Sequence, residues 1–299
     1  MSISVRTLIF TLTVTLAATS VAAQGRGNAF GRGRAKTSQP TAGTNSSPAL
    51  EPISADSSAA IRQFGAWLDD ASVLGPGHGW LSVSTGHSRS LGARQFDFPV
   101  IEAGMALTRR AQLGGTIPYY RMNFTDGTSV AGFGDLYLNL KYALVDPEQN
   151  RAKVGLAVAP LVEVLSAPDP ISGARWSWAI PVSVEVRRPD YRVYGSAGYF
   201  ARGVLFSSGA VEVPLSNRFV VTGALIQMRS LNQSPAADAL ALARSRLDLA
   251  GAAAYFLTPS FAAFGSVGRT ISQAGPLGTS LTLNGGVSIT FAQAGVPRP

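Results

Sequence analysis

The chain has 299 residues and a formal net charge of +8, with 46% hydrophobic but only 14% charged residues. Soluble domains usually carry about a quarter charged residues, so this composition is unusual for one. The lack of cysteine excludes disulfides, thiolate metal sites and thiol nucleophiles.

Residues 1–23 have the pattern of a secretory signal peptide. Arg6 precedes an apolar stretch, Leu8–Val21, and the small residues Ala22-Ala23 follow it, which predicts cleavage before Gln24. The alternative is an uncleaved anchor helix, but the apolar run is short for one. No later stretch reaches the roughly eighteen uninterrupted apolar residues of a spanning helix, so strands would have to cross any membrane.

The positive net charge points to a class of partner. A basic balance usually suggests nucleic acid, but an exported chain is not expected to meet nucleic acid. Contact with anionic headgroups or lipopolysaccharide, or a lumen that favours anions, explains the sign of the charge better.

Residues 24–76 are predicted to be a disordered periplasmic tether. The first part is rich in Gly, Arg, Ser, Thr and Pro, as disordered segments are, and export disfavours the alternative of an RNA-binding Gly/Arg segment. Apolar residues recur at helical spacing from Ile61 to Leu68, which suggests a short helix over residues 59–74. Such a helix would lie on the periplasmic rim or enter a barrel as a plug, and the rim is favoured.

Residues 77–292 are predicted to form an all-β fold, a closed antiparallel transmembrane β-barrel, and residues 293–299 a C-terminal tail. The run Asp135–Val145 is the clearest example, because apolar side chains alternate there with polar or small ones. A period of two over this length is typical of a strand with lipid on one face and the lumen on the other. Twelve such runs follow the chain: Trp80–His87, Phe96–Leu107, Ala111–Arg121, Asp135–Val145, Lys153–Leu165, Arg175–Arg187, Tyr191–Phe200, Val204–Leu215, Phe219–Met228, Arg246–Leu257, Phe261–Thr270 and Ser280–Phe291.

The connections between these runs alternate between tight turns and mostly longer loops. In outer-membrane barrels the tight turns face the periplasm and the longer loops face outward, so both termini are expected in the periplasm. The tight turns are 108–110, 146–152, 188–190, 216–218 and 258–260. The outward loops are Ser88–Arg94, Met122–Gly134, Ser166–Gly173, Ala201–Gly203, Arg229–Ser245 and Ile271–Thr279.

Aromatic residues fall near the predicted ends of the runs, where outer-membrane barrels carry aromatic girdles. Tyr120 and Phe206 adjoin predicted outer loops and are expected in the outer girdle. The predicted membrane-interface residues are Tyr119, Tyr142, Trp176, Tyr191, Tyr199, Phe219, Tyr255, Phe261 and Phe291.

Four prolines fall inside predicted strands, although proline removes a hydrogen bond from the ladder. They are Pro99, Pro160, Pro181 and Pro214. A closed barrel has no edge strand to hold them, so we interpret them as β-bulges or as strand boundaries. Ten or fourteen strands are the alternative counts.

The segment Gly132–Tyr142, GFGDLYLNLKY, resembles the signature of the outer-membrane β-barrel family named for the MetA pathway of phenol degradation. Asp97–Arg121 is similar to the part of that family before the signature, and the resemblance covers roughly Trp80–Phe291. It implies a transporter-like barrel that passes small, often aromatic compounds. The segment Gly286–Phe291 also resembles the C-terminal signal read by the barrel-assembly machinery, although this chain continues to Pro299.

Polar residues on the predicted inward face are candidates for a solute path. A structural network that braces the wall and a polar constriction that selects solutes both remain open. At about 3.4 Å per residue, Asp135 and Lys141 are too far apart along one strand to pair, so each is expected to meet a neighbouring strand. The candidates are Asp135, Tyr137, Asn139, Lys141, Glu163, Arg175, Glu185, Arg187, Arg192, Tyr194, Arg246 and Asp248.

Catalytic and metal-binding interpretations find little support in the sequence. His78 and His87 are the only histidines, and neither is spaced with other residues as a metal ligand. A Ser-His-Asp arrangement stays open because its members need only meet in space. The glycines around Gly132 do not form a phosphate-binding loop, because a strand rather than a helix follows them. We therefore expect no enzyme activity, no cofactor and no metal.

These patterns predict a protein of the bacterial outer membrane that acts as a passive channel for small, partly hydrophobic solutes, aromatic ones included. The expected partners are outer-membrane lipid and lipopolysaccharide, the barrel-assembly machinery during biogenesis, and a small-molecule solute. The alternative is a non-conducting structural or adhesion barrel that uses the outer loops Met122–Gly134 and Arg229–Ser245.

Overall fold

The computed structural model describes residues 68–90, 92–167, 173–201, 203–231, 245–272 and 279–292. The predicted signal peptide, most of the predicted tether and the predicted tail lie outside these ranges. Within them, no helix is long and apolar enough to cross a membrane. The strands are β1 (His78–Ser90), β2 (Ala93–Ala106), β3 (Ala111–Phe124), β4 (Ser129–Phe133), β5 (Leu136–Val145), β6 (Val154–Val158), β7 (Leu161–Val164), β8 (Trp176–Arg187), β9 (Arg192–Phe200), β10 (Val204–Ser216), β11 (Phe219–Ser230), β12 (Ser245–Thr258), β13 (Phe261–Thr270) and β14 (Thr279–Ala292).

These segments form one closed antiparallel barrel. β1 pairs with β2 on one side and with β14 on the other, so the last strand returns to the first. β4 and β5 both pair with β3, and β6 and β7 both lie between β5 and β8. Each of these two pairs is a single strand with a break, so the predicted count of twelve strands is confirmed.

The strand prolines lie at or beside irregularities in the hydrogen-bond ladder. The register between β2 and β3 shifts across Pro99, and that between β10 and β11 shifts after Pro214. Pro160 lies in the break between β6 and β7. Pro181 lies on β8 opposite that break, where its carbonyl accepts a 3.0 Å hydrogen bond from the Ala159 N–H. The prolines, which have no backbone N–H to donate, therefore lie where the hydrogen-bond ladder is already interrupted.

The outer face of the barrel is apolar. On β5, Leu138 is 45% exposed, whereas the adjacent Asn139 is 5% exposed and Lys141 is fully buried. The same alternation puts large apolar side chains on the outside of the other strands. Because a closed sheet leaves no second protein layer to cover this face, hydrocarbon is its solvent.

The two ends of the barrel differ in their connections. The end that holds His78 and Ala292 also holds the short turns, and we call it the turn end and its opposite the loop end. Two predicted outer loops differ from expectation. Ser88–Arg94 is mostly strand, and within Met122–Gly134 the segment β4 pairs with the end of β3, because both hairpins continue the ladder beyond the apolar band. Most of Arg229–Ser245 lies outside the described residues.

The chain enters the barrel before β1. Residues Leu68–Leu74 lie inside it, are almost entirely buried, and are not helical. The rim position favoured by the sequence is therefore wrong for this stretch, because its polar groups bind side chains of the inner wall. Residues 59–67 lie outside the described ranges. We call Leu68–Leu74 the inserted segment.

The position of a residue along its strand sets its depth in the membrane, and this predicts different costs for two substitutions on the outer face. Ile101 lies midway along β2, so Ile101→Arg puts a charge near the centre of the hydrocarbon and should destabilise the folded barrel by about 2–4 kcal/mol. Leu107→Arg, just beyond the turn end of β2, should cost only about 0–1 kcal/mol because its side chain reaches the headgroups. Urea unfolding in lipid bilayers measures both, and equal costs would contradict this depth.

Candidate functional site in the barrel lumen

The inserted segment is attached to two different parts of the inner wall. The Asp69 N–H donates to the Ser196 hydroxyl oxygen on β9 at 3.2 Å. The Leu74 N–H donates to the Gln112 side-chain oxygen on β3 at 3.1 Å. These contacts place the segment in the half of the lumen nearest the turn end.

Lys141 on β5 holds the inserted segment by its charge. Its Nζ donates to Asp69 Oδ1 and Asp70 Oδ1, both at 2.8 Å, and to the Ser72 carbonyl oxygen at 3.2 Å. Three acceptors match the three donors of an ammonium group, which a buried lysine needs. The sequence led us to expect a partner on a neighbouring strand, and these two carboxylate partners come from the inserted segment.

Arg192 on β9 binds three carboxylates. Its Nη1 lies 3.1 Å from Asp70 Oδ2 and 3.4 Å from Glu185 Oε1, and its Nη2 lies 3.4 Å from Glu212 Oε2. The guanidinium also lies over the Tyr194 ring, 4.7 Å from its centroid. The arginine thereby joins strands β8, β9 and β10 to the inserted segment.

Arg187 at the end of β8 makes a similar link. It forms ion pairs with Glu185 and, at 2.6 Å, with Glu148 in the turn after β5. It also donates to the Ser72 hydroxyl, which in turn donates to Glu185 Oε2 at 2.6 Å. We call the whole set the charged cluster: Asp69, Asp70, Lys141, Glu185, Arg187, Arg192 and Glu212.

Burial acts on Asp70 within this cluster. Removal from water raises the pKa of its carboxyl from the ordinary value of 3.8 to about 6, although Lys141 and Arg192 both favour the carboxylate. The neighbouring Glu185 and Asp69 add to the rise. Burial therefore makes the charged form of Asp70 costly, and Lys141 and Arg192 are needed to stabilise it.

Small residues make room for the inserted segment. A Cβ added at Gly155 would lie 2.9 Å from the Ala71 Cβ, so the segment contacts the wall where β6 has no side chain. The Trp80 indole lies against Gly104, where a Cβ would overlap the ring. Trp80 also packs with Leu74 at the end of the segment.

The structure brings most predicted lumen residues together on the inner wall. Arg246 and Asp248 also face inward, near the loop end, with a 2.8 Å contact between Nε and Oδ1. Arg175 is exposed in the bend before β8, so its predicted inward position is wrong, because strand alternation begins only at Trp176. The buried inward residues are Asp135, Tyr137, Asn139, Lys141, Glu163, Glu185, Arg187, Arg192 and Tyr194.

Nearer the loop end, two buried carboxylates on the inner wall accept hydrogen bonds from neutral donors. Asp135 lies in the break between β4 and β5, and its Oδ1 accepts hydrogen bonds from both the N–H and the hydroxyl of Ser166, just after β7, at 2.8 Å. Glu163 Oε1 accepts from the Tyr137 hydroxyl at 2.5 Å. The Gly-Asp pair of the sequence signature, Gly134-Asp135, therefore has a structural role, because Asp135 joins this break to the residues just after β7.

Aromatic side chains lie on both faces. Of the predicted interface residues, Tyr119, Tyr142, Trp176, Tyr191, Tyr255 and Phe291 are exposed, and Tyr199, Phe219 and Phe261 are half-buried. Tyr120 and Phe206 are buried inside the barrel, so their predicted place in the outer girdle is wrong, since each has the inward parity of its strand. The buried aromatic residues are Trp80, Tyr120, Tyr137, Tyr194, Phe200, Phe206 and Phe256.

The opposite side of the lumen has small inward side chains. On β12 to β14 these include Ala250, Ala252, Ser266 and Asn284, all half-buried. The Asn284 amide donates to the Ser266 hydroxyl at 3.1 Å. We call β12–β14 the small-residue wall. The lumen is therefore filled beside β5–β10, whereas the middle of β12–β14, between Asp248 and Phe256, is lined by short side chains.

The described residues offer no site with the ligand set of a metal. No group of three or more His, Asp or Glu residues among them is placed to hold an ion. His78 and His87 lie near opposite ends of β1.

Comparison with known proteins identifies the fold. The sequence matches no protein-family model and no curated protein. The COG4313 outer membrane channel from Pseudomonas putida F1 is 16% identical, with a TM-score of 0.55 over 74% of this chain and 98% of that chain. The NanC porin is 12% identical, with a TM-score of 0.51 over 70% of this chain and 98% of that chain. The chain has the fold of an outer-membrane barrel, and the resemblance to the MetA-pathway family is not confirmed.

Removing the ammonium of Lys141 should release the inserted segment. Lys141→Met leaves both aspartates buried without their main cation, and loss of one partner of a buried ion pair costs about 3–5 kcal/mol. The chain has no cysteine, so Ala71→Cys supplies a single thiol whose labelling rate reports exposure of the segment. Labelling should accelerate in the Lys141→Met background.

The matched control is Lys153→Met, which removes an exposed lysine from the turn after β5. Labelling of the Ala71→Cys thiol should stay at the parental rate in this variant. Equal labelling in the two methionine variants would show that Lys141 does not hold the segment.

Proposed function

We propose that this protein is a passive outer-membrane channel for small, partly hydrophobic solutes, aromatic ones included. The solute path runs between the inserted segment and the small-residue wall. The charged cluster forms the narrow part of this path near the turn end.

The asymmetry of the lumen carries the proposal. Inward residues on β5 and β8, such as Lys141 and Glu185, are fully buried, whereas Ala252 and Ser266 on the small-residue wall keep accessible surface. Accessible surface inside a closed barrel is surface in contact with lumen water. A path beside the inserted segment therefore needs no unfolding of the barrel.

The barrel size supports a narrow path. Barrels of eight strands are filled by their side chains, and barrels of sixteen or more strands leave a wide aqueous channel. Twelve strands lie between these limits, and the inserted segment takes up part of the interior. Selection by size and by side-chain contact is the consequence we expect.

The inner aromatic residues support partly hydrophobic solutes. Phe200 and Phe206 lie 5.7 Å apart between ring centroids, and they pack in one buried cluster with Leu68 of the inserted segment. Ala250 and Ala252 of the small-residue wall pack against the same cluster. A solute that passes there would meet aromatic and aliphatic surface next to charged groups.

Two further observations agree with this proposal. The solved structures that resemble the chain are named as an outer membrane channel and a porin. The MetA-pathway signature at Gly132–Tyr142 implies transport of small aromatic compounds, and we include membership of that family in the proposal. Export through a cleaved signal peptide and a turn end in the periplasm belong to it as well.

Liposome swelling tests the path with two adjacent residues of one strand. Ala252→Trp fills the lumen from the small-residue wall and should slow the entry of small solutes several-fold, because pore diameter limits passage. Ala253→Trp places the same ring on the lipid side and should leave the rate unchanged. Phenylalanine should enter faster than glucose, which has a similar mass.

The outcomes separate the parts of the proposal. If neither the parental protein nor its Lys141→Met variant passes any solute, the channel function is wrong. If Ala252→Trp and Ala253→Trp have equal rates, the path does not follow the small-residue wall. If glucose enters as fast as phenylalanine, the preference for partly hydrophobic solutes is wrong.

A further inference from the structure

Three arginines lie side by side on the outer face near the loop end. Arg89 on β1 is directly opposite Arg94 on β2. Arg121 on β3 pairs with Phe96, so it is the diagonal neighbour of Arg94. All three side chains are exposed. We call Arg89, Arg94 and Arg121 the arginine patch.

The arginine patch has an excess of positive charge. Like charges directly opposite each other on neighbouring strands destabilise a sheet, and side chains in such a pair are only about 5 Å apart at Cβ. Among the residues that the structure describes, no carboxylate forms an ion pair with the patch. A bound anion would turn this repulsion into attraction.

The patch lies at the depth of the lipid headgroups. On β2 the outward side chains between Arg94 and Arg109 run from Phe96 to Leu107 and are mostly apolar. At about 3.3 Å per residue and a tilt of roughly 40°, this stretch spans roughly 28 Å, close to the height of the apolar band of an outer-membrane barrel. Arg94 therefore lies just outside the hydrocarbon at the loop end.

Aromatic rings lie directly below the patch. Phe96 and Phe98 are 49% and 55% exposed on the same face of β2. Tyr119 and Phe133 are in edge-to-face contact, with ring centroids 5.5 Å apart. An amphiphile bound here would meet guanidinium groups at one level and apolar rings at the next.

We propose that the arginine patch binds a lipid A molecule of the outer leaflet. The loop end of such a barrel faces the cell exterior, where the leaflet contains lipopolysaccharide. Lipid A carries two phosphates on one sugar backbone, with several acyl chains beneath it. Three clustered guanidiniums can bind both phosphates by bidentate hydrogen bonds, and the aromatic rings contact the acyl chains.

This chemistry favours lipid A over a phospholipid. A phospholipid headgroup presents one phosphate, which one or two arginines satisfy, and would leave part of the patch repulsion uncompensated. A bisphosphorylated lipid neutralises the whole patch at once. The proposal is independent of conduction, because the patch lies on the outer face and does not touch the lumen.

Native mass spectrometry of the purified full-length protein in a zwitterionic detergent tests the proposal. The probe is hexa-acylated bisphosphoryl lipid A. Arg94→Gln combined with Arg121→Gln should weaken binding about tenfold or more, as expected for lost charge-assisted hydrogen bonds. Arg109→Gln combined with Arg110→Gln removes the same charge at the turn end and should leave the affinity unchanged. Heat-modifiable mobility on a gel verifies that each variant is a folded barrel.

The ligand series identifies the source of the phosphate without any substitution. Dephosphorylated lipid A, phosphatidylglycerol and inorganic phosphate should each bind the parental protein at least tenfold more weakly than lipid A. Equal binding of phosphatidylglycerol would overturn the assignment to lipid A. Equal affinity of the two double variants would overturn the assignment to the patch. If the double variant does not fold, Arg89→Gln alone should still weaken binding, and an unchanged affinity would count against the patch.

Discussion

The need to satisfy every backbone N–H and C=O in hydrocarbon determines this structure. Strands can cross lipid only if each one pairs on both edges, and the pairing of β1 with β14 meets that condition. Closure leaves the chain two environments only, lipid outside and the lumen inside. The side-chain period of two then decides the place of each residue, so that Leu138 meets lipid while Lys141, three residues further along, is fully buried inside.

Charged side chains buried in the lumen need partners of opposite charge, and the inserted segment supplies carboxylates to the buried cations. Lys141 forms ion pairs with Asp69 and Asp70 of this segment, both at 2.8 Å. The segment in turn is costly to bury without those cations. The bracing network that the sequence left open is therefore present, whereas a constriction that selects solutes belongs to the proposed function. The ion pairs that brace β5, β8, β9 and β10 also fix the segment that narrows the lumen.

The sequence predicted what depends on local periodicity and missed what depends on long-range contact. Alternation alone placed Tyr137, Asn139 and Lys141 on one face, and extending it would have found Glu212, which shares the inward parity of Phe206. Asp97 and Glu102 have opposite parity in the sequence, yet both are buried inside because the register shifts across Pro99. No local signal marks Asp69 and Asp70, because their partners lie about seventy residues or more away.

The distribution of charge among the described residues argues against an anion-favouring lumen. An anion-favouring lumen would need inward cations in excess, but in the described part of the chain Lys141, Arg187, Arg192 and Arg246 are each paired with carboxylates. Exposed arginines instead flank the apolar band, with Arg94 and Arg121 near the loop end and Arg109 and Arg110 at the turn end. These exposed arginines lie at the two edges of the apolar band and outside the lumen. Among the described residues, the excess positive charge therefore lies outside the lumen, and the polarity of the lumen has to be judged from the inward residues alone.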